Sequence, residues 1–416
     1  MEIRGEYLLE RNAYRAYDET LIFHCHHYNT YLQTVIEDAA GYLDVYPVLV
    51  DSAQEIVHHQ LQQVFKDGNL SVEDKKKAVE DYYRFNGFGK LDLTSLDENG
   101  GVIKTKSDHY AQGWLGRYGE RAADLPGVSF FSRGFIAGAL EVIFNKPLGY
   151  FECSQESCIA KGDEYSTFTV FASKIKRNLQ ESPGLGVPST GIFESNKNSE
   201  IDSLAIRDAL INMPIEGDAN SGLIEAFGVL LTRMYGNYYT LISYRFLELF
   251  KSYAGPEGES IVSNLLTEAG HVCAFNTFGG IMQSNEWNGL IRPMIKTKED
   301  WVYGIVAVIN ALGWGIWEVV ELVPNEKLVL KITGSYESNM YLKAYGASEQ
   351  PISYFALGGT AGIMNLIYNT EITESVISFD EEQYDKTFKT VNTFTTKQIK
   401  CRAMGDDYDL FEITSK

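Results

Sequence analysis

The sequence predicts an α/β fold of the α+β kind: two tandem copies of one module, each a twisted antiparallel sheet with helices packed on one side. Three internal matches lead there. The closing segment Gln155-Glu-Ser-Cys158-Ile-Ala160-Lys-Gly162-Asp163-Glu-Tyr165-Ser166-Thr-Phe168 returns as Gln398-Ile-Lys-Cys401-Arg-Ala403-Met-Gly405-Asp406-Asp-Tyr408-Asp409-Leu-Phe411, without a gap. Upstream, Val128–Gly138 parallels Ile352–Gly362, and both run into apolar stretches with paired glycines. Further upstream, Leu115-Gly-Arg-Tyr118-Gly119 parallels Leu342-Lys-Ala-Tyr345-Gly346. Self-similarity at a fixed order is the signature of a duplicated unit.

Each copy opens with helices. The stretches 88–106 and 314–332 then alternate apolar and polar residues and break at Asn-Gly or Pro-Asn, which reads as strand, turn, strand. A short helix follows and ends on Gly119 or Gly346, where a left-handed cap suits glycine. Next comes a buried helix whose glycines permit close approach to a neighbour. The closing hairpin turns at Gly162 or Gly405, flanked by Asp as turn chemistry requires. The second copy carries an insertion around Thr370–Lys389. A run rich in Ser, Asn, Gly and Pro separates the copies, placing the first module at 1–175, a linker at 176–220 and the second module at 221–416.

Composition narrows the function. With 36 Lys and Arg against 56 Asp and Glu the net charge is −20, a field that repels nucleic acid and anionic membranes. No window reaches the apolar length of a membrane span, and the charged first residues lack the core of a signal peptide. Five cysteines without a regular framework fit reduced thiols, so a cytoplasmic location is expected.

In the closing motif, Cys158 and Ser166, or Cys401 and Asp409, lie on either side of the turn, and a hairpin brings them together. A Cys, a Gly turn and a second ligand position resemble the closing motif of the bacteriochlorophyll 4-vinyl reductase domain family. That family includes phenol-sensing domains of bacterial activators, and its fold is similar to heme nitric-oxide-binding domains and vesicle-tethering TRAPP subunits. Ser335-Tyr-Glu-Ser338, Tyr345-Gly346 and Pro351-Ile-Ser-Tyr354 match its middle section. Glu268-Ala-Gly-His271-Val-Cys273-Ala-Phe275-Asn276 also resembles 2-amino-thiazoline-carboxylate hydrolases. The resemblance implies paired modules, here an internal pseudo-dimer, and a small-molecule cavity. It places His109 and Tyr336 at an aromatic position lining that cavity, with Trp114 and Tyr341 about a turn further on. It also implies a structural zinc held by an acidic residue and cysteines. This chain has Gln155 and Gln398, Ser166 and Asp409, and Ser129 and Ser353 at those positions, so the zinc site is expected to be lost and Cys158 and Cys401 to serve as buried thiols.

Six of the seven histidines lie in the first copy. His24, His26 and His27 form a cluster: on a strand His24 and His26 share a face, on a helix His24 and His27 do, and either pair can start a transition-metal site. A polar strand end or helix start with solvated imidazoles is the alternative. Glu-x-x-His occurs at Glu55/His58 and Glu268/His271, where residues three apart share a helix face for metal binding, acid–base work or a structural hydrogen bond. A rival register sets 24–31 against 271–278. The expected function is binding of a small apolar or aromatic ligand between helices and sheet, as a sensor or carrier, with a homo-oligomer or a protein partner as candidate partners and any sensing output passing through a partner. A metal-dependent, hydrolase or reductase enzyme using these residues is the alternative, and a structural adaptor the third.

Overall fold

The computed structural model describes residues 2–66, 68, 70–181, 199–390 and 392–415. Its strands are β1 (Glu6–Leu8), β2 (Ala13–Ala16), β3 (Glu19–Cys25), β4 (Gly100–Thr105), β5 (Phe151–Ser157), β6 (Ser166–Ala172), β7 (Ile224–Ala226), β8 (Val229–Tyr235), β9 (Ile316–Val323), β10 (Lys327–Thr333), β11 (Phe394–Lys400) and β12 (Asp409–Ser415). They form three antiparallel sheets among the described residues, in the orders β1-β2-β3-β8-β7, β4-β6-β5 and β11-β12-β10-β9. The helices are α1 (His26–Glu37), α2 (Tyr46–Phe65), α3 (Val72–Phe85), α4 (His109–Tyr118), α5 (Phe130–Ile143), α6 (Ser203–Ile211), α7 (Gly236–Cys273), α8 (Gly279–Gln283), α9 (Asn285–Leu290), α10 (Glu299–Ala311), α11 (Tyr336–Tyr345), α12 (Tyr354–Asn369) and α13 (Glu381–Phe388). The fold is therefore α+β with antiparallel sheets. No described helix is long and apolar enough to cross a membrane.

The two halves meet in the five-stranded sheet. β3 pairs with β8, setting Phe23 opposite Arg233 and His24 opposite Thr232, and each strand runs directly into a helix, α1 or α7. These opening hairpins are absent from the sequence reading, which began each copy with helices. Their strands are short, and each turn opens on a residue that seldom turns, Tyr17 or Phe227 at φ 57° and 54°, with only its second residue, Asp18 or Gly228, conforming to turn chemistry. α7 breaks at Gly255, whose φ is 63° and ψ −148°, with Pro256 restarting the helix.

The closing hairpins have the same construction. β5 and β6 slip register between Gln155 and Ser157, and β11 and β12 slip between Gln398 and Lys400. Gly162 and Gly405 take φ 84° and 104°, and Asp163 and Asp406 cap the turns by accepting from Cys158 N at 2.8 Å and Cys401 N at 2.9 Å. Each hairpin adds β4 or β10 beyond its second strand.

The middle hairpins differ. Residues 314–332 form β9 and β10 as expected, but of 88–106 only β4 is a strand, the rest keeping the isolated bridges Gly89–Asp108 and Asp97–Gly100. Its Asp and Glu neighbours capture the backbone: Leu93 N donates to Glu80 at 2.6 Å and Thr94 N to Asp92 at 3.0 Å. Local side-chain acceptors compete with a ladder in this way. Residues 182–198 of the segment 176–220 lie outside the described residues, and α6 in its remainder packs on α10.

α5 packs on α2 through Gly134, and α12 packs on the last turns of α7 through Gly358. A Cβ at Gly134 would stand 2.2 Å from Val50 O, and one at Gly358 would stand 2.0 Å from Thr267 O. One apolar core runs through both halves, with Tyr28, Tyr239, Trp314 and Phe355 at its centre.

Candidate functional site

The boundary between β3 and α1 falls at Cys25, inside the histidine cluster, so neither the all-strand nor the all-helix reading describes it. His24 faces the interior. Its ring stacks on Tyr28 at 4.3 Å and Trp314 at 4.7 Å, meets Tyr239 and Phe355 edge-on at 4.9 Å, and sets Nδ1 3.8 Å from Cys273 Sγ. Burial holds its imidazole neutral, far below the usual range. His26 Nδ1 accepts from Leu230 N at 3.2 Å, and its ring lies 3.9 Å from that of His27. The three imidazoles do not share a centre, and no three His, Cys, Asp or Glu side chains among the described residues gather to hold a metal.

Beside His24, Thr277 donates to Cys25 Sγ at 2.7 Å and lies 3.4 Å from Cys273 Sγ. A π-helical turn over Ala274–Phe278 brings Thr277 there. All four side chains are buried, so this group closes the junction between the halves rather than facing a cleft.

The Glu-x-x-His pairs separate. Glu55 turns to Arg245 at 2.5 Å and accepts from Gln180 N at 2.9 Å, while His58 Nδ1 sits 3.7 Å from Glu141 and Nε2 3.0 Å from Gln62. Burial pushes Glu141 up to about 7 and His58 down to about 4, so the imidazole is neutral at pH 7 while the carboxyl titrates there. In the other helix Glu268 accepts from Tyr384 at 3.2 Å and the His271 ring lies 5.2 Å from that of Phe388. The packing glycines put the two histidines one turn out of step: His58 N lies against Gly138, whereas His271 N lies against Gly358, the counterpart of Gly134. The rival register fails too. The segment standing where 24–31 stands is Met234–Leu241, at the junction of β8 and α7.

His109 and Tyr336 are both buried and stand on either side of Asn29 and Tyr239. His109 Nε2 is 2.9 Å from Asn29 Nδ2, Tyr239 donates to Asn29 Oδ1 at 2.5 Å, and the Tyr239 ring is 6.5 Å from that of Tyr336. Tyr336 lines a small, partly open cavity of about 20 Å³ with Tyr28, Tyr239, Tyr244 and Glu337, room for about one water. Glu337 accepts from Phe355 N at 2.9 Å and Ala356 N at 3.0 Å at the start of α12, and burial raises its carboxyl to about 8. Trp114 and Tyr341 stand apart, under Arg121 at 4.4 Å and against Tyr244 at 4.7 Å.

At the closing hairpins, Gln155 and Gln398 donate to Ser129 and Ser353 at 3.1 and 3.2 Å. Asp409 accepts from Gln398 at 3.0 Å, Ser338 at 2.8 Å and Arg402 N at 2.9 Å, and burial raises it to about 6. The first cluster offers one buried thiol with amide and hydroxyl groups, and the second one thiol and the Asp409 carboxyl; neither reaches the full set of thiolate, imidazole or carboxylate donors that zinc takes.

The open space lies between the halves. A cleft of about 550 Å³ is walled by α1 and the end of α4 from one half, and by the end of α7 and the inserted α13 from the other. His27, Tyr31, Arg117, Glu268, Phe275 and Tyr384 line it. Two of these, His27 and Glu268, are among the residues singled out from sequence. Burial, then His26 and Arg117, depress His27 to about 2, so it is neutral. The Arg117 guanidinium lies 5.4 Å over Tyr31 and 5.0 Å over Tyr118, donates to His27 O at 2.9 Å, and has no salt-bridge partner among the described residues. Sequence reasoning missed Tyr31, Arg117, Phe275 and Tyr384. The signals were the Leu-Gly-Arg-Tyr-Gly cap and the insertion, seen as motifs but not as walls. A second cleft of about 460 Å³ stands at matching positions of the opposite halves, with Leu241 in place of Tyr31, Tyr345 of Tyr118 and Asp51 of Glu268.

Such an arrangement defines an α+β protein with paired clefts at the junction of its halves. No protein-family model and no curated protein matches the chain. Among solved structures, the phenol-responsive sensory domain of the transcription activator PoxR, with phenol, aligns at TM-score 0.30 and 12% identity, covering 47% of this chain and 81% of that one.

Proposed function

We propose that the chain is a small-molecule-binding protein, a sensor or carrier, that holds a monocyclic aromatic ligand in the cleft beneath α13. The observation that carries this is the cleft itself. Its volume of about 550 Å³ falls in the range of ligand sites, and its aromatic walls are interleaved with charged groups: Arg117 and Lys389 on one hand, Glu268, Asp380, Glu381 and Asp385 on the other. Tyr31, Phe275 and Tyr384 offer flat apolar faces, and Arg117, the lining cation without a salt-bridge partner among the described residues, is the group that takes a phenol or carboxylate head, with Lys389 held by Asp385. Because the walls come from both halves, occupancy bears on how α1 and α4 sit against α7 and α13, which is what a sensor needs. Two copies of a 4-vinyl-reductase-type module are the architecture proposed beneath this, supported by the matched register slips, turn glycines and Gln–Ser bonds of the closing hairpins.

Titration calorimetry with phenol, benzoate and benzylamine tests the reading. One of the first two is expected to bind, with affinity reduced about tenfold or more in Tyr31→Ala and Tyr384→Ala, the loss typical of aromatic anchors. Arg117→Met is expected to remove the preference over benzylamine. Folded protein that binds none of the three, or binds equally after both Tyr changes, sinks it.

A further inference from the structure

The other face of the five-stranded sheet carries a feature that neither the cleft nor the closing hairpins explain. Phe23 and Arg233 face each other across β3 and β8, and alternation along the strands points them away from His24 and Thr232. They floor a pocket of about 50 Å³ that also has Tyr14, Phe227 and Leu231 in its wall and Leu210 and Met213 in its roof. The roof is α6 and the residues after it, within the segment read from sequence as a linker.

Arg233 is only 8% exposed. Its guanidinium lies 4.4 Å over Phe85, 4.7 Å over Phe23 and 5.4 Å over Tyr14. One terminal nitrogen donates to Phe85 O at 3.1 Å and the other to Ile215 O, while Nε is buried without a partner among the described residues. No carboxylate forms a salt bridge with it among the described residues. A buried cation without a counterion is costly, and burial pulls this one down to about 10. Aromatic faces, carbonyls and the field of Glu216, which Arg4 opposes, offset part of that cost, but none of them is a salt-bridge partner of the guanidinium. The group that completes it is an anion small enough to enter an apolar pocket, and a carboxylate matches the guanidinium fork.

We propose that this pocket is a second ligand site, taking a short apolar monocarboxylate whose head pairs with Arg233 while its tail fills the lining under Leu210 and Met213. The tail displaces Met213, the most adaptable side chain of the roof. The site is distinct from the cleft beneath α13, and the test keeps them apart.

Calorimetric titration of the full chain uses butyrate and hexanoate against 1-butanol and 1-hexanol. Hexanoate is expected to bind at least tenfold more tightly than 1-hexanol, and Arg233→Met is expected to abolish that preference with the circular dichroism unchanged. Leu210→Trp, which fills the roof, is expected to block hexanoate, whereas Tyr384→Ala in the cleft leaves it bound. Should Arg233→Met fail to fold, the wild-type comparison and Leu210→Trp decide. Equal affinity for acid and alcohol, no binding of either, a preference that survives Arg233→Met, or hexanoate lost with Tyr384→Ala but kept in Leu210→Trp each overturns the proposal.

Discussion

Gly358→Ala is expected to destabilise the protein by roughly 3 kcal/mol, while Gly359→Ala, one residue along, is expected to be neutral or mildly stabilising. Both glycines are helical, so backbone conformation alone predicts a gain of up to about 1 kcal/mol for either change. Packing separates them. The new methyl at 358 would stand 2.0 Å from Thr267 O and 2.7 Å from His271 N, both main-chain atoms of α7 that cannot yield without moving the helix. At 359 its nearest neighbour is the Phe355 ring at 3.9 Å, an ordinary contact. Gly134→Ala repeats the first experiment in the other half, against Val50 O at 2.2 Å. Urea denaturation of the three variants checks this, and similar midpoints for Gly358→Ala and Gly359→Ala would mean that α7 and α12 do not pack so closely.

The second large effect is on pH. Glu19 is fully buried where the halves join, with Asn237 beside its carboxyl. Burial raises its carboxyl to about 8, Asp18 adds to the rise, and Lys343 and Asn237 act against it. A carboxyl raised on folding keeps its proton in the native state after the unfolded chain has released it. Its stabilising contribution is present below the unfolded value near 4.5 and is lost as pH rises through about 8. Wild-type stability should fall between pH 5 and pH 8, Glu19 contributing on the order of 3 kcal/mol. Glu337, raised to about 8, and Glu141, raised to about 7, push the same way. Glu19→Gln keeps the shape without the proton and should flatten the slope by Glu19's share. Denaturation at pH 5, 6, 7 and 8 measures this, and parallel curves for wild type and Glu19→Gln would show that Glu19 is ionised in the folded protein.

Much of the site was hidden in the sequence for a plain reason. Glu55 and His58 share a helix face, as spacing requires, but their partners, Arg245 and Glu141, lie 190 and 83 residues away, and the stronger partner takes each side chain. His24, His26 and His27 are adjacent in the chain yet face different environments, because the strand ends between them. The cleft gathers four stretches, near 27–34, 116–118, 268–276 and 379–389, and no local pattern marks residues that meet only after folding.

What the sequence determined by itself are the elements governed by near neighbours: the closing hairpins with Gly162 and Gly405 at positive φ, the helix caps at Gly119 and Gly346, and the glycine-bearing helices α5 and α12. Turn angles, caps and apolar period depend on residues within one or two turns of the chain, so they can be read directly. Only the tertiary structure decided that β3 pairs with β8 across the halves, that 88–97 gives its backbone to side chains instead of a strand, and that Arg233 is buried without a salt-bridge partner among the described residues. Those outcomes rest on burial and on contacts distant in sequence, where the free energy of each pairing depends on what the rest of the fold has left to pair with.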